Sequence, residues 1–495
     1  MDERARIPVS LPHDNPTTSY WQDPPDASIA SLRTTPALPS SADIIVIGSG
    51  ITGAAVAWNL LQSSNDDTPK RNIVMLEARE ACSGATGRNG GHTKAASYRT
   101  FPSHTSDLGT PTAVQIARLE LSNIFAVQSF ARDHAIDCDL SACDTIDVIY
   151  DAAQWVQAQD SVAAMREALG ADDPAARYTL LSPSEVRDRF YIHDGEFEGV
   201  EQKVYGGVVY HAGSLSAYKF GVGVLKLCLA QGLNLQTHTP ALSLSRDGDG
   251  QWTVETPRGV ISAPRVVLGT NGYTARLVPA FQGAIVPLRG QITAHRPGAN
   301  LRAKGPLPTT YSFIYEAGYE YMVPRRSADP SAGGDIIMGG GLVRAPGEGL
   351  EEYGTTDDTS INPIISEYLH ETTPRYFGSD WGEDDERGRA RAEWTGIMGY
   401  SPDGFPFVGE MPGPGPENEG LWVSGSFQGH GMVLCWVCAK ALVEMMEGRD
   451  GDELEAWFPE VFRVSEERMA KRFEGRLHTS AAPKNADGEG EREGQ

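Results

Sequence analysis

The sequence predicts an α/β protein with a Rossmann-like dinucleotide-binding domain and a second domain built mainly on an antiparallel β-sheet. The chain has 495 residues, which is enough for two large domains. Residues 42–61, ADIIVIGSGITGAAVAWNLL, pass from a β-branched run through a glycine-rich turn into a helical pattern. Residues 283–400 instead alternate short apolar runs with turns, which is typical of antiparallel strands.

Charge and composition exclude several classes of partner. The formal net charge of −24 disfavours nucleic acid and anionic membrane surfaces, because both attract basic proteins. No segment approaches the length of an apolar membrane span, and the N-terminus has no signal-peptide pattern. The six cysteines form neither a disulfide framework nor a metal motif, so we expect free thiols, no bound metal and a cytoplasmic protein. Cys435 and Cys438 lie in an apolar run and are predicted to be buried.

The elements follow in order along the chain. Residues 1–40 predict an extended, proline-punctuated arm that either wraps the surface or stays loose. Helices are predicted at 112–134 and 151–169, and another begins at Ser182, because Ser-Pro-Ser-Glu has the pattern of a capping box.

The second half of the chain continues this alternation. We expect a strand at 203–210, a helix ending near 232, a hairpin turn in the DGDG sequence at 247–250, and one buried strand within 260–272. Residues 420–448 return to strand, glycine turn and helix. Gly221 and Gly223 fall inside a helical stretch, which indicates close helix packing rather than a second nucleotide site.

These elements predict a discontinuous two-domain organisation. The arm covers 1–40, the dinucleotide-binding domain covers 41–110, 200–282 and 400–450, the substrate domain covers 111–199 and 283–399, and a disordered tail covers 476–495.

The turn after the first strand carries the dinucleotide signal. Gly48 and Gly50 allow a tight turn whose backbone N–H groups can approach a pyrophosphate, and Gly53 lets the helix lie against the sheet. Glu77 ends the next strand 24 positions after Gly53, where a carboxylate can accept hydrogen bonds from ribose hydroxyls. The turn alone fits NAD or FAD, and a glycine-rich turn without a ligand is the structural alternative.

Two other segments favour FAD over NAD. The loop at 78–92, ARE-ACSGATGRNGGH, supplies Ser83 and Thr86 to a pyrophosphate, and Gly90-Gly91 lets the backbone lie along a flat ring. Residues 425–432, GSFQGHGM, open a helix whose N–H groups can stabilise negative charge on a flavin. A plain NAD dehydrogenase is therefore the weaker alternative.

The motifs together resemble the D-amino-acid-oxidase-like superfamily of FAD-dependent amine oxidoreductases, which includes glycine, sarcosine and γ-glutamylputrescine oxidases. The matching pieces are GSGITG with Glu77, SGATGRNGG, LGTNG (268–272), PLRGQ (287–291), SPDGFPFVGE (401–410) and GSFQGHGM. They span residues 43 to about 448, and RNGG and WTGIMG (394–399) resemble the γ-glutamylputrescine oxidase branch most. The resemblance implies a GR2-type FAD-binding Rossmann-like domain and FAD as the cofactor.

The resemblance and the turn together predict the site residues. Those expected to contact FAD are Gly48, Gly50, Ile51, Thr52, Gly53, Glu77, Ala78, Arg79, Ser83, Thr86, Arg88, Asn89, Gly90, Gly91, His92, Ala241, Thr270, Asn271, Gly272, Gly425, Phe427, Gln428, Gly429, His430, Gly431 and Met432. The catalytic candidates are His92, His430 and Tyr321, and the substrate candidates are Tyr315, Tyr319, Tyr321 and Met398. The three tyrosines could instead be core aromatics of the antiparallel sheet.

Some of these roles have open alternatives. His92 could tether FAD covalently or only form a hydrogen bond, and His430 could hold its turn without a chemical role. An oxygen-activating lysine is not assigned, because Lys94, Lys219 and Lys226 are all equally explicable as solvated side chains.

One departure from the family pattern bears on the substrate. Amino-acid-oxidising relatives carry an arginine followed by proline before the PDG segment, and that arginine binds the substrate carboxylate. Here the place is taken by Met398-Gly399, which favours an amine or a blocked derivative over a simple α-amino acid. Arg325, Arg344 or Arg391 could substitute from another direction.

The resemblance implies hydride transfer from the CH–NH group of a small amine to flavin N5, hydrolysis of the imine, and reoxidation, often by O2 with release of H2O2. A dehydrogenase with a non-oxygen acceptor and a non-catalytic flavin-binding protein are the alternatives. The sequence leaves the oligomeric state open.

Overall fold

The structure is a computed structural model that describes residues 1–63, 71–197, 199–413 and 415–475. The predicted tail at 476–495 lies outside the described residues. The helices are α1 Asp2–Ala5, α2 Ile51–Gln62, α3 Phe101–Leu108, α4 Thr110–Asp133, α5 Ala152–Leu169, α6 Pro183–Phe190, α7 Ala217–Ala230, α8 Thr274–Leu277, α9 Ala299–Ala303, α10 Pro346–Gly349, α11 Pro363–Phe377, α12 Cys435–Met446, α13 Asp452–Glu455 and α14 Glu466–Met469.

The strands are β1 Ile44–Ile47, β2 Ile73–Leu76, β3 His92–Thr93, β4 Ser141–Ile149, β5 Tyr178–Leu181, β6 Gly195–Phe197, β7 Val200–Gln202, β8 Gly206–Ser214, β9 Asn234–Gln236, β10 Ser243–Arg246, β11 Trp252–Thr256, β12 Gly259–Ala263, β13 Arg265–Leu268, β14 Val286–His295, β15 Thr310–Ile314, β16 Tyr319–Pro324, β17 Ile336–Gly339, β18 Ala390–Tyr400, β19 Phe407–Glu410 and β20 Leu421–Gly425.

The first sheet is the predicted Rossmann-like sheet. Over the described ranges it has six strands in the order β19-β20-β13-β1-β2-β9. All neighbours are parallel except β19 and β20. Every residue of β1 and β2 is buried, as expected for parallel strands covered on both faces. Helix α2 packs against α7 and α12.

The second sheet is mainly antiparallel, as predicted. In the part of the chain that the structure describes it has nine strands, eight in the order β18-β14-β17-β16-β15-β4-β8-β3, with β5 paired to β8. Only the β15–β4 pair is parallel. Strand β8 belongs to this sheet, although the predicted bounds placed 200–282 in the dinucleotide-binding domain. The other domain bounds stay a prediction.

The sequence patterns predicted three helices correctly and one strand wrongly. Helices α4 and α5 confirm the predicted pair, and Ser182 caps α6 with the predicted capping box. The single strand expected within 260–272 is wrong, because the chain is divided at Pro264 into β12 and β13, which belong to different sheets. Proline has no N–H for a strand ladder, so it marks the point where the chain leaves one sheet for the next.

The N-terminal arm wraps the surface instead of staying loose. Trp21, Ile29 and Ala30 are buried. The N–H of Thr34 donates to the carbonyl of Leu235 in β9, at the edge of the first sheet.

The cysteines have the state that the sequence predicts. All six cysteines are free thiols, Cys435 and Cys438 are buried as predicted, and Cys435 also reaches the wall of the cavity described below. Among the described residues, no helix combines the length and apolarity needed to cross a membrane.

Candidate active site

A long cavity lies where the two sheets meet. At one end its wall comes from the carboxyl ends of β1, β2 and β13. At the other end its wall comes from β14, β16 and β18 of the second sheet, and from the loop before α12. The cavity therefore joins the three segments that sequence reasoning placed around one dinucleotide.

The glycine turn has the geometry that the sequence predicted. Gly48 has φ +102°, and a Cβ there would lie 2.7 Å from the carbonyl oxygen of Gly269. A Cβ on Gly53 would lie 1.9 Å from the carbonyl oxygen of Gly48. Helix α2 can therefore rest on the turn only because Gly53 lacks a side chain, and the end of β13 can approach the turn only because Gly48 lacks one.

Glu77 is fixed at the end of β2 by backbone and hydroxyl donors. One carboxylate oxygen accepts from Ser49 N–H at 3.0 Å and from Ser49 Oγ at 2.6 Å, and the other accepts from Arg79 N–H at 3.0 Å. Glu77 also lines the cavity, and an ionised carboxylate has acceptor capacity beyond these three bonds. This arrangement suits a ribose diol.

Two buried arginines share one buried carboxylate beside Glu77. Arg79 Nη1 lies 3.0 Å from Asp358 Oδ2, and Arg88 Nε lies 3.7 Å from the same oxygen. Burial lowers the pKa of Arg88 to about 10. Both arginines line the cavity, so one carboxylate serves two guanidinium groups and the wall suits an anionic ligand such as a pyrophosphate.

Thr86 and Ser83 take different places in the loop that follows Glu77. Thr86 Oγ1 lines the cavity and accepts from the N–H of Ile51 at 2.9 Å, in the first turn of α2. The Ser83 hydroxyl is buried behind the wall, without a hydrogen-bond partner among the described residues.

His92 and Tyr321 lie at the other end of the cavity. His92 Nε2 is 2.7 Å from Thr310 Oγ1, and burial, with the nearby Lys94, holds the pKa of His92 well below its ordinary value. The Tyr321 ring passes between Gly90 and Gly339, where added Cβ atoms would lie 2.1 and 2.3 Å from ring atoms. Gly90 is therefore required by this tyrosine.

The loop before α12 is braced by polar side chains. Gln428 Nε2 donates to Ser401 Oγ and to the carbonyl of Ser426, both at 2.8 Å. Asn271 Oδ1 accepts from the N–H of Ser426 at 2.9 Å. The backbone has positive φ at Ser426, Gln428 and Gly429. The loop does not lead straight into the helix, because a 3₁₀ turn at Gly431–Val433 comes before α12.

Lys94 is the residue that sequence reasoning misjudged most. It was interpreted as solvated, but it is buried, lines the cavity and donates to Asp147 Oδ1 and Ser312 Oγ, both at 2.6 Å. Asp147 also accepts from the hydroxyls of Tyr98 and Tyr210. The apolar residues on either side of Asp147 in β4 were the available signal for this buried pair. Lys219 and Lys226 form partly exposed pairs with Asp139 and Asp26.

Most predicted site residues line the cavity. Those that do are Gly48, Gly50, Ile51, Thr52, Glu77, Ala78, Arg79, Thr86, Arg88, Asn89, Gly90, Gly91, His92, Ala241, Thr270, Asn271, Tyr319, Tyr321, Met398, Phe427, Gly429, His430, Gly431 and Met432. Those outside its wall are Gly53, Ser83, Gly272, Tyr315, Gly425 and Gln428.

Tyr315 lies in the core of the second domain. Its hydroxyl is 2.6 Å from that of Tyr376, and its ring stacks on Tyr150 with centroids 5.4 Å apart. Tyr315 follows β15, whereas Tyr319 and Tyr321 alternate on β16 and both line the cavity.

The three arginines suggested as replacements for a carboxylate-binding arginine lie outside the cavity wall. Arg325 pairs with Asp139 at 2.9 Å, and Arg391 pairs with Asp335. Arg344 packs over the ring of Tyr368. Two arginines that sequence reasoning did not consider, Arg276 and Arg289, do line the cavity, and Arg289 is held by Glu352 at 2.6 Å.

The wall fits FAD on three grounds. The turn at Gly48 and Gly50 presents bare backbone to the cavity, and Glu77 is positioned for a ribose. Within the described ranges the hydroxyl of Tyr273, which lines the same cavity, is buried without a hydrogen-bond partner. A buried hydroxyl in that state is expected to bond a ligand or water.

Comparison with known proteins agrees with this fit. A family model described as FAD dependent oxidoreductase (DAO) matches residues 43–445. The chain is 26% identical over 443 residues to a probable oxidoreductase, OrdL, of Rhizobium meliloti, covering 87% of this chain and 90% of that protein. It is 22% identical over 440 residues to gamma-glutamylputrescine oxidoreductase of Escherichia coli, covering 84% and 85%.

A solved structure has the same fold. Glycine oxidase from Geobacillus kaustophilus superposes with a TM-score of 0.65 at 18% identity, covering 86% of this chain and 99% of that one.

Proposed function

Because this chain belongs to the family of FAD-dependent oxidoreductases, we propose that it oxidises the CH–NH bond of a small amine that lacks a free α-carboxylate. The predicted family, the cofactor FAD and the class of enzyme, which acts on amine or amino-acid CH–NH donors, are confirmed. The narrower γ-glutamylputrescine oxidase branch stays a prediction.

The observation that carries the substrate class is Met398, an apolar residue of the cavity wall at the place of the arginine in the family pattern. Met398 on β18 lies in the position where a carboxylate-binding arginine was expected from the family pattern. The side chains of Leu342, Val343 and Ile365 line the same cavity. A carboxylate beside Met398 would lose its hydration without gaining the two hydrogen bonds that an arginine at this position would donate, which is unfavourable.

The chain's own groups position the substrate in this proposal. His92 is neutral at physiological pH because its pKa is held low, so it adds no positive charge beside a basic amine. Tyr321 and His430 line the same cavity and remain candidates to contact the substrate. Buried walls from both sheets exclude water from the reacting carbon.

The proposed reaction is a two-electron oxidation of the substrate followed by hydrolysis. The substrate carbon loses a hydride, its nitrogen lone pair forms the C=N bond of an iminium ion, and water hydrolyses this ion to a carbonyl compound and an amine. FAD, when bound, would supply the acceptor for the hydride, and both electrons would then pass to a second acceptor. With O2 as that acceptor, two electrons and two protons yield H2O2.

An anaerobic screen tests the substrate class. The purified holoenzyme is mixed with amines, N-substituted amino acids and α-amino acids while the flavin absorption band, at about 450 nm for flavins in general, is followed. We expect small amines to bleach the band and simple α-amino acids to act poorly. If α-amino acids are good substrates, the interpretation of Met398 is wrong and Arg276 becomes the candidate for binding their carboxylate.

Substitutions at Met398 sharpen the test. Met398→Arg should shift the ratio of kcat/KM for an α-amino acid over its decarboxylated amine by about tenfold, the equivalent of one added charge-assisted hydrogen bond. The matched control Met398→Leu keeps an apolar side chain and should leave that ratio unchanged.

The two alternatives give different outcomes in the same assay. Rapid reoxidation of the bleached protein by air supports an oxidase, whereas slow reoxidation by air and fast reoxidation by a quinone support a dehydrogenase. A protein that no amine bleaches would be a flavin-binding protein without turnover, and the proposal would then be wrong.

A further inference from the structure

The N-terminal arm reaches the cavity. Ser10, Leu11 and Pro12 line its wall, although the family match begins only at residue 43. These three residues therefore lie outside the range that the family model matches.

Hydrogen bonds attach this segment to the loop that follows Glu77. Arg79 Nη1 donates to the carbonyl of His13 at 2.9 Å, and Arg88 Nη2 donates to Thr17 Oγ1 at 2.6 Å. Ser19 Oγ donates to the carbonyl of Gly87 at 2.6 Å. Residues 13–19 of the arm are thus hydrogen-bonded to the loop at 79–88 at three points.

The arm also bonds to the second domain. The N–H of Thr17 donates to the carbonyl of Asp358 at 2.7 Å, and Ser10 Oγ is 2.6 Å from Thr356 Oγ1. Asp358 is the carboxylate that Arg79 and Arg88 share. The segment is therefore bonded both to the loop after Glu77, which lines the cavity, and to the loop that contains Thr356 and Asp358.

We propose that residues 10–21 are part of the cofactor site and cover the adenosine half of FAD. The position beside Arg79, two residues from Glu77, places Ser10, Leu11 and Pro12 at the ribose end of the cavity. FAD cannot leave through this side until the arm detaches from Arg79, Arg88 and Asp358. The proposal rests on FAD as the cofactor and not on the amine substrate.

Cutting the arm in the folded holoenzyme tests the proposal. A protease recognition site is inserted between Asp14 and Asn15, in an exposed bend. The matched control carries the same site in the exposed turn between β10 and β11, at Gly248. Both proteins also carry Arg4→Ala, because Arg4 bonds to the carbonyls of Glu351 and Tyr353 and would retain the cut segment.

Two measurements follow after gel filtration, once mass spectrometry shows that residues 1–14 are gone. The first is the rate of FAD release, and the second is the rate at which a phosphodiesterase releases AMP from bound FAD, which also works if the flavin is tethered. We expect both rates to be about tenfold higher than in the cut control, which corresponds to a free-energy barrier lowered by about 1.4 kcal/mol. If the cut segment stays bound, deletion of residues 1–14 provides the same comparison.

Unchanged rates in the arm-cut protein would overturn the proposal. A protein that is purified without FAD and refuses it even before cutting would instead contradict the cofactor assignment. The rise in thermal midpoint on adding FAD to the apo protein should be smaller for the arm-cut protein than for the cut control. This difference separates loss of a cofactor contact from a general loss of stability, which lowers the apo and holo midpoints together.

Discussion

Gly50 shows how a single position controls the cofactor cradle. It is the N-cap residue of α2, and its φ of −62° is accessible to any residue. A Cβ there would lie 2.9 Å from Thr86 Oγ1, on the side that faces the cavity. Glycine is therefore favoured at this position because a side chain would clash with Thr86, and not because the backbone is strained.

We expect Gly50→Val to give folded protein that lacks flavin. The valine side chain would clash with Thr86, which accepts a hydrogen bond from the N–H of Ile51, and would distort the wall beside which the pyrophosphate is expected to lie. The flavin-to-protein absorbance ratio and the circular dichroism spectrum measure the two effects separately. Gly248→Val is the control, since no atom lies within 4 Å of its Cβ position. Full flavin content in Gly50→Val would refute the assignment of the turn.

Glu120 in α4 links stability to pH. Burial raises its pKa to about 7 from an ordinary value of 4.5, partly offset by the hydroxyl of Ser97. Folding therefore favours the protonated form. The contribution of protonated Glu120 to the stability of the folded state is complete below about pH 4.5 and is lost as the pH rises to about 7.

Glu120→Gln should remove this dependence, because glutamine keeps a neutral hydrogen-bonding group at all pH values. We expect the variant and the wild type to unfold at similar temperatures near pH 4.5. The variant should be more stable above pH 7 by roughly 3 kcal/mol, at about 1.4 kcal/mol per pH unit. Thermal unfolding between pH 4.5 and 8 measures this, with exposed Glu453→Gln as the control. Parallel curves for the wild type and Glu120→Gln would contradict the assignment.

At the scale of elements, the glycines of α7 allow close packing as predicted, but their nearest neighbours are residues in loops and not in another helix. A Cβ on Gly221 would lie 2.9 Å from Cys82 Sγ, and one on Gly223 would lie 2.4 Å from Ile136 Cγ2. In a helix, alanine is otherwise preferred over glycine by about 1 kcal/mol. The packing contacts therefore outweigh helix propensity at these two positions.

We expect Gly223→Ala to destabilise the protein by about 1–3 kcal/mol, because overpacking exceeds the gain in helix propensity. Ile136→Ala should be destabilising alone, but the two changes together should cost less than their sum, since the second makes room for the first. Thermal midpoints of the four proteins in this cycle are the measurement. Strict additivity would show that Gly223 and Ile136 do not contact each other.

At the scale of the whole molecule, both sheets contribute to one cavity. Its wall runs from the ends of β1 and β2 to β16 and β18, so FAD bound there would contact both sheets. A ligand of this kind stabilises the native state by about 2.7 kcal/mol at a free concentration of 100 times Kd.

Removal of FAD should therefore lower the thermal midpoint, and adding it back should restore the original value. FMN is the control, since it lacks the adenosine half that would contact Glu77 and should stabilise less. Differential scanning fluorimetry of the apo protein with each ligand measures this. A midpoint that does not change with FAD would contradict the site.

The sequence by itself determined the local features that depend on neighbouring residues. The strand–turn–helix at 44–62, the carboxylate at Glu77, the capping box at Ser182 and the antiparallel character of 286–400 are all found in the structure. Backbone conformation and apolar periodicity act over a few residues, so a local pattern suffices to predict them.

Only the tertiary structure decided which residues meet in the cavity. In the structure Lys94 is buried against Asp147, Tyr315 lies in a core, β8 belongs to the second sheet, and Ser10, Leu11 and Pro12 reach the cavity wall. Each of these outcomes depends on a contact between residues far apart in the chain. Such contacts form when the two sheets and the arm pack together, and no local pattern encodes them.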